Sequence, residues 1–430
     1  MRYLKIDKNL FLNNRKRFGA KMQEKSIAIF NANDEMPRTG DQNFPYRQNS
    51  DLFYLSGIEQ EKTVLVLAPD HPDPKMREIL FIRESNKQLE TWFGHKLTKE
   101  EAREISGINN IMYLSRMEMV VRDLIMSMDN IYVNANEYAK VEIEVASRDD
   151  RSTKELKEKY PAHNFLRAAP ILRELRTIKS EEEIKLIRKS CNITEKAFRR
   201  VLDFVKPGVM EYEIQAEIEH EFTKNAANGN AYYPIIASGK NANVLHYIEN
   251  DKECKDGDLI LMDFGAEYAN YAADLSRTIP VSGKFTERQK ECYNAVLEVQ
   301  KQAIQLLVVG NTIDKVNKKV NEMMKGALVK LGLMTQDEYD DPDRSKAVLF
   351  EYFMHGTSHY LGLDVHDVGT KHEPFKEGMI FTCEPGLYNQ KEGFGIRIEN
   401  DILVTKEGPV DLMKNIPIEA DEIEALMNKN

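Results

Sequence analysis

Cysteine and tryptophan are scarce in this sequence: 430 residues hold four cysteines and a single tryptophan. Cys191, Cys254, Cys292 and Cys383 form no C-x-x-C pair and are too sparse for a disulfide framework, so a reducing, cytoplasmic location is expected. No apolar run approaches the roughly 18 residues that read as a membrane-spanning helix. The opening MRYLKIDKNLFLNNRKRF is broken by charges, so no secretory signal is expected either. Positive charge is not in excess: 60 Lys and Arg stand against 70 Asp and Glu, a net charge of −10. Phosphate contacts need a concentrated basic face, so nucleic acid is not an expected partner. Low-complexity tracts and a Gly-rich phosphate loop are missing as well. What remains is an ordinary globular composition, 42% hydrophobic and 30% charged. Its length allows about two to three domains with a substantial core.

Residues 1–175 alternate β-rich runs (26–32, 63–68, 78–83 and 130–134) with helical stretches (98–105 and 116–128), which reads as an α/β domain with a mixed sheet. The segment RTGDQNFPYRQNSDLFYLSG, residues 38–57, sets aromatics beside Asp41, Arg47 and Asp51, and TWFGH surrounds Trp92. Each reads either as a ligand surface or as a packed loop.

From residue 176 to 430 the pattern changes. Ser180-Glu181-Glu182-Glu183 is a capping box. It opens an amphipathic helix to about residue 205, stopped by Lys206-Pro207-Gly208, and a second helix spans 211–223. A hairpin follows. Thr286-x-x-Gln289 then opens a helix to Val309, residues 312–331 form another, Gly332 ends it, and a second hairpin follows. TQDEYDDPDRSK, residues 335–346, reads as a surface loop. Two helices then a hairpin, twice, imply an α+β domain with pseudo-two-fold symmetry.

Each hairpin carries a pair of acids. In LILMDFGAEYANYAADLSRT, residues 259–266 and 271–279 read as strands joined by the polar, small residues 267–270. A hairpin centred between Tyr268 and Ala269 sets Asp263 directly opposite Asp274, roughly 5 Å apart at Cβ, where like charges are destabilising. A cation between them reverses the sign. Downstream, Glu384 in GMIFTCEPGLY and Glu399 in GFGIRIENDILV have their midpoint inside the polar stretch NQKEG. One pair reads equally well as two solvated surface acids. Two pairs in apolar strands point to an oxygen-rich site for more than one divalent ion. Cys383 adjoins Glu384, points to the opposite face of its strand and reads as core.

Five histidines, His246, His355, His359, His366 and His372, fall between residues 246 and 372. HGTSHYLGLDVHD spaces three of them at intervals of four and seven. The first interval matches the zinc motif H-E-x-x-H only in length, because no glutamate intervenes and Gly356 opposes a helix. A lone histidine more often packs than ligates, whereas three together, followed by Glu384 and Glu399, read as a site.

In that order, MDFG…ADLSRT, HGTSHYLGLDVHDVG, CEPGLY and RIEND resemble the metal-binding motifs of the pita-bread metallopeptidases. With PYRQNSDLFYLSG and TWFG in the first domain, the chain is similar over nearly its full length to the aminopeptidase P (Xaa-Pro aminopeptidase) family. The resemblance implies a creatinase-like α/β first domain, a pita-bread catalytic domain, and removal of the first residue from peptides with proline second. It places the metal ligands on Asp263, Asp274, His359, Glu384 and Glu399. Asp274 and Glu399 would bridge two metals, Asp263 would complete one shell, and His359 with Glu384 the other. Four carboxylates and an imidazole are hard ligands suited to manganese, the metal the resemblance also implies. Two such ions would share a hydroxide available at neutral pH.

The resemblance further assigns His246, His355 and His366 to substrate orientation and proton handling. Glu384 doubles as the general base that passes the water's proton to the proline nitrogen. Arg397, two residues before Glu399 and so on the same face of a strand, braces the metal shell or meets a substrate carboxylate. Tyr388 is expected as a donor at the rim, and Trp92 with Asp41 as a wall of the substrate cleft. The first domain is expected to shape substrate access and the contacts of a homo-oligomer, a dimer or tetramer. Prolidase is the nearest alternative, with the same five ligands but only dipeptide substrates. Methionine aminopeptidase normally lacks the large first domain, creatinase lacks the ligands, and so do the pita-bread modules that bind nucleic acid or histones.

Overall fold

The computed structural model describes residues 3–138, 140 and 144–429. Its contacts divide the chain into two compact units, Leu4–Arg176 and Thr177–Asn430 together with Met1–Tyr3.

The first unit is built on a six-stranded sheet in the order Asn110–Tyr113, Glu78–Ile82, Val64–Leu67, Ser26–Asn31, Asn130–Val133, Asn164–Arg167. Val64–Leu67 runs antiparallel to both neighbours and the other pairings are parallel, so the sheet is mixed. Ser26–Asn31 and Val64–Leu67 are buried at every position, because the sheet is covered on both faces. One face packs Ile27, Ile29, Val66, Ile79 and Phe81 against Val120, Leu124 and Ile125. On the other, Phe18 of the Lys8–Gly19 helix meets Phe30 edge-on, with ring centroids 5.3 Å apart. The two outermost strands carry no clear sequence signal because they are short and only partly buried.

The second unit opens with the Ser180 capping box, in which the Ser180 N–H and hydroxyl both donate to Glu183 at 2.9 Å. The helix Glu181–Phe204 buries Ile184, Ile187, Cys191, Phe198 and Val201, the spacing of one helical face. Glu211–Lys224 follows, then an antiparallel sheet of Ile235–Ser238, Leu259–Phe264 and Leu275–Pro280. The helices Glu287–Ile304 and Ile313–Lys330 come next, and later the antiparallel sheet Ile380–Cys383, Asn400–Thr405 and Gly408–Asp411. Helix pair and three-stranded sheet therefore occur twice in the same order.

Two sequence expectations are corrected here. Residues 335–346 are not a surface loop: Gln336–Asp340 and Pro342–Tyr352 are helices. Their start signals are in the sequence, a Thr335–Glu338 capping box and an Asp341 N-cap ahead of Pro342. The helix from Glu287 ends at Ile304, short of Val309.

The register of the first hairpin also differs from expectation. Asp263 pairs with Ser276, and Tyr268 with Tyr271, so the first hairpin turns between Ala269 and Asn270 and not one residue earlier. Ala269 and Asn270 both have positive φ, 53° and 65°, as a two-residue type I′ turn requires. Moving the centre by one residue shifts each partner by two, which preserves the face. Asp263 and Asp274 are thus diagonal neighbours on one face instead of direct partners. Between them a Cβ on Gly265 would lie 1.7 Å from the Ala273 carbonyl oxygen, so only glycine admits this crossing. In the second hairpin Cys383 pairs with Asn400 and Gly386 with Arg397. That register brackets Glu384 and Glu399 across from each other, where the ladder is interrupted. The Glu384 N–H there donates to Thr357 (2.8 Å) and the Glu399 N–H to Ser276 (3.1 Å).

Candidate metal centre

The two hairpins bring their acids together with His359. Ligand atoms of Asp274, His359 and Glu399 all lie within 4.8 Å of one another. His359 Nε2 is 3.3 Å from Asp274 Oδ2 and 3.7 Å from Glu384 Oε1. Asp263 joins through Tyr232, whose hydroxyl reaches Asp263 Oδ1 at 2.6 Å and Asp274 Oδ1 at 2.5 Å. His359 Nδ1 faces the Tyr360 carbonyl at 3.0 Å and donates to it, which fixes the ring so that Nε2 is the nitrogen turned into the acid cluster.

Around these five side chains runs a hydrogen-bonded brace. Arg397, on the strand Phe394–Arg397, donates to Asp263 Oδ2 (2.6 Å), Ser276 Oγ (2.8 Å) and Tyr388 Oη (2.8 Å). Ser276 Oγ donates to Glu399 Oε2 at 2.7 Å. Tyr388 Oη donates to His355 Nε2 at 2.7 Å, and His355 Nδ1 donates to the Gly356 carbonyl at 2.8 Å. Tyr388 is buried in this chain, not at the rim, and both His355 nitrogens are engaged. His366 meets the His359 ring edge-on, centroids 4.4 Å apart, and is exposed. His246 is exposed too, and its charge disfavours protonation of His355. Trp92 and Asp41 belong to the other compact unit, where both are exposed.

The electrostatics are those of a cluster short of positive charge. Burial pushes Glu399 well above the usual carboxylate range, with Asp274 and Glu384 adding repulsion. Burial also raises Glu384, to about 7, despite the opposing charges of His359 and Arg397. Asp263 is raised by burial, against the pull of Arg397. Asp274 alone is lowered: burial opposes its ionisation, but the hydrogen bond and charge of His359 prevail. His359 is raised to about 9, since its carboxylate partners outweigh its own burial. His355 is lowered to about 4 by burial and the Arg397 charge.

A divalent ion fits this donor set on one direct observation. Glu399 is 1% exposed, and its Oε1 receives no hydrogen bond among the described residues. Leaving a buried carboxylate oxygen without a donor costs about 1–3 kcal/mol or more. Cation binding repays that cost and displaces the protons the cluster otherwise holds.

Two residues of the site went unread in the sequence. Tyr232 has no periodic link to the acids it joins, so no spacing signals it. Asp401 was legible: it follows Glu399 by two residues, on one face of a strand. Its Oδ2 accepts the Asp274 N–H at 3.1 Å and Cys191 Sγ donates to the same oxygen at 3.4 Å, and burial pushes its carboxyl well up.

Comparison with known proteins agrees with this architecture. Residues 185–406 match the model of metallopeptidase family M24, and residues 11–132 that of the aminopeptidase P N-terminal domain. The Xaa-Pro aminopeptidase of Escherichia coli (strain K12) is 37% identical, covering 98% of each chain. That of Haemophilus influenzae is 36% identical over 99% of this chain and 98% of its own. Zinc-substituted E. coli aminopeptidase P in complex with product superposes with a TM-score of 0.90 at 36% identity, covering 99% of each chain. The chain belongs to metallopeptidase family M24, in the aminopeptidase P group whose N-terminal domain it also carries.

Proposed function

We propose that this protein is a metal-dependent Xaa-Pro aminopeptidase that hydrolyses the bond between the first residue and a following proline. The observation that carries the reading is the pairing of two acid hairpins around His359, in a chain similar from end to end to Xaa-Pro aminopeptidases. Two divalent ions are the proposed complement, held by Asp263, Asp274, His359, Glu384 and Glu399, with Asp274 and Glu399 shared between them. Manganese suits four carboxylates and one imidazole better than a softer metal does. Bound there, the metal supplies Lewis-acid polarisation of the scissile carbonyl and activation of water at neutral pH.

The chain's own residues do the rest. Glu384, a half-buried carboxyl beside His359, is the group proposed to take a proton from water and deliver it to the proline nitrogen. His246 and His366, as exposed rings, orient the substrate carbonyl and stabilise the charge that develops on its oxygen. Arg397 holds Asp263 directly, His355 through Tyr388 and Glu399 through Ser276. Trp92 and Asp41 are proposed as substrate contacts, residues 1–175 and 176–430 as the functional domains, and a homo-oligomer in the cytoplasm as the working form.

A panel of Xaa-Pro dipeptides, Xaa-Pro-Yaa tripeptides and matched peptides lacking proline tests the proposal, with chelated enzyme and added manganese. Manganese-dependent cleavage of the tripeptides is expected. Activity confined to dipeptides makes the enzyme a prolidase, and cleavage indifferent to proline overturns the assignment.

A further inference from the structure

Residues 239–251 form a loop between the strands Ile235–Ser238 and Leu259–Phe264. It carries His246, and one carboxylate ties it down. Glu211, the first residue of the helix Glu211–Lys224, is fully buried. Its Oε1 accepts from the Ser238 N–H (2.8 Å), the Ser238 hydroxyl (2.7 Å) and the Asn241 amide (3.1 Å). Its Oε2 accepts from the Tyr247 hydroxyl (2.8 Å) and the Lys252 N–H (3.0 Å). A single side chain therefore holds the residue before the loop, two points inside it and the residue after it.

None of these bonds serves the helix from which Glu211 extends. That helix is capped separately by Glu213, which accepts the Met210 N–H at 2.7 Å. A carboxylate at a helix N-terminus is also favoured by the helix dipole, so the clamp costs its own element nothing. Hydrogen bonds to a charged acceptor are stronger than neutral ones, and here they converge on one group.

The clamped loop lies against the wall of the metal centre. Ala242 and Tyr247 share a buried cluster with Tyr388, the phenol that bonds His355 and Arg397. Gly395, the ladder partner of Tyr388, is approached so closely that a Cβ there would be 2.5 Å from the Ala242 carbonyl oxygen. The loop that carries His246 is therefore fixed at two places, by the Glu211 clamp and by the packing of Ala242 and Tyr247 against the Tyr388 strand, while the His246 ring itself is exposed.

We infer that Glu211 is a positioning residue for the peptidase reaction: it fixes the loop so that the His246 imidazole stands at the scissile carbonyl. The inference rests on the role proposed above for His246 and adds what holds that ring in place. A small displacement of an orienting group lowers the rate of the chemical step more than it weakens binding.

Glu211→Gln turns one acceptor oxygen into a donor that faces existing donors, and so loosens the loop. In the metal-free protein, amide hydrogen exchange across residues 239–252 is expected to accelerate, with exchange elsewhere unchanged. With manganese restored and its content unaltered, kcat is expected to fall about tenfold with KM within about twofold. In a His246→Ala background the same substitution is expected to lower kcat less than about twofold, because the ring it positions is gone. Tyr247→Phe removes one donor to the clamp and is expected to act in the same direction but less, which keeps the test decisive if Glu211→Gln does not fold. Unchanged exchange in the loop overturns the inference, as does an equal loss of kcat with and without the His246 ring. If His246→Ala itself keeps wild-type kcat, the proposed role of His246 falls and the inference with it. A His246→Ala defect combined with a fully additive Glu211→Gln defect sinks the positioning role alone.

Discussion

In the first compact unit, Asp51 and Asp149 are acids set among donors. Arg176 and Asn134 donate to the two oxygens of Asp51, at 2.8 and 3.0 Å. Asn31 donates twice to Asp149 Oδ1, at 3.1 and 2.8 Å, and Asn134 once to Oδ2 at 3.3 Å. In the second unit, Glu399 Oε1 has no donor, and Glu384 meets His359 and His355 only at 3.7 and 3.9 Å, beyond hydrogen-bond range. Both clusters would look alike in a list of acids. The difference is arithmetic: where every oxygen has an N–H, the acids stitch a fold together, and where donors run short, the acids await a cation.

The comparison breaks most sharply at Asp274 and Glu399, the two acids proposed to be shared between metals. Asp274→Asn or Glu399→Gln is expected to abolish activity and loosen at least one metal, because each removes a carboxylate charge from the proposed metal shell. The metal-free Glu399→Gln protein is nevertheless expected to melt higher than metal-free wild type, since burial and repulsion no longer oppose a buried carboxylate. Each kcal/mol relieved is worth about 2–4 °C in a domain of this size. Calorimetry on chelated samples and metal analysis check both parts. Near-wild-type turnover with unchanged metal content would sink the two-metal assignment.

His366 sharpens the boundary between holding metal and handling substrate. His366→Ala is expected to keep the metal and lower kcat/KM by roughly one to three decades, the range for losing one positioned donor. Loss of metal would instead make His366 a ligand.

Asp149 tests the other side of the comparison. Burial raises its pKa from 3.8 to about 6, only partly offset by its hydrogen bonds from Asn31 and Asn134. A folded-state pKa above the unfolded one favours the protonated form, so its contribution to stability is complete below about pH 3.8 and is lost as the pH rises through about 6. The loss amounts to about 3 kcal/mol at most, from two units at about 1.4 kcal/mol each. Asp149→Asn is expected to flatten that part of the pH–stability profile, measured by urea unfolding between pH 4 and 7. An unchanged slope would assign the titration elsewhere.

How much of this was legible depended on periodicity. The Ser180 and Thr286 caps, the central strands of the six-stranded sheet and the face shared by Glu384 and Glu399 follow from spacing alone. The first hairpin's register did not, because it was set by the left-handed Ala269 and Asn270, neither of them glycine. Tyr232 was hidden because its partners lie far along the chain, and the edge strands because little of them is buried. Helix signals in residues 335–346 were present but masked by the density of acids, which read as solvated loop.

The smallest expected effect concerns Trp92, in a helix, Lys87–Phe93, that buries none of its residues. Trp92 is 77% exposed and its neighbour Phe93 62%, with the Arg83 guanidinium 5.8 Å from the Phe93 ring. Two adjacent exposed aromatics contribute little to folding, so Trp92→Ala is expected to leave the melting temperature unchanged. If the ring is a wall for the substrate, it supplies binding that is equal in ground and transition states, and its loss raises KM without changing kcat. The expected rise is about tenfold or less for Xaa-Pro peptides of three or more residues, and smaller for a dipeptide, with metal content intact. Steady-state kinetics on both peptide lengths decide it. Equal KM values for mutant and wild type on the longer peptide would remove Trp92 from the substrate path, and a lowered melting temperature would reveal packing that its exposure does not show.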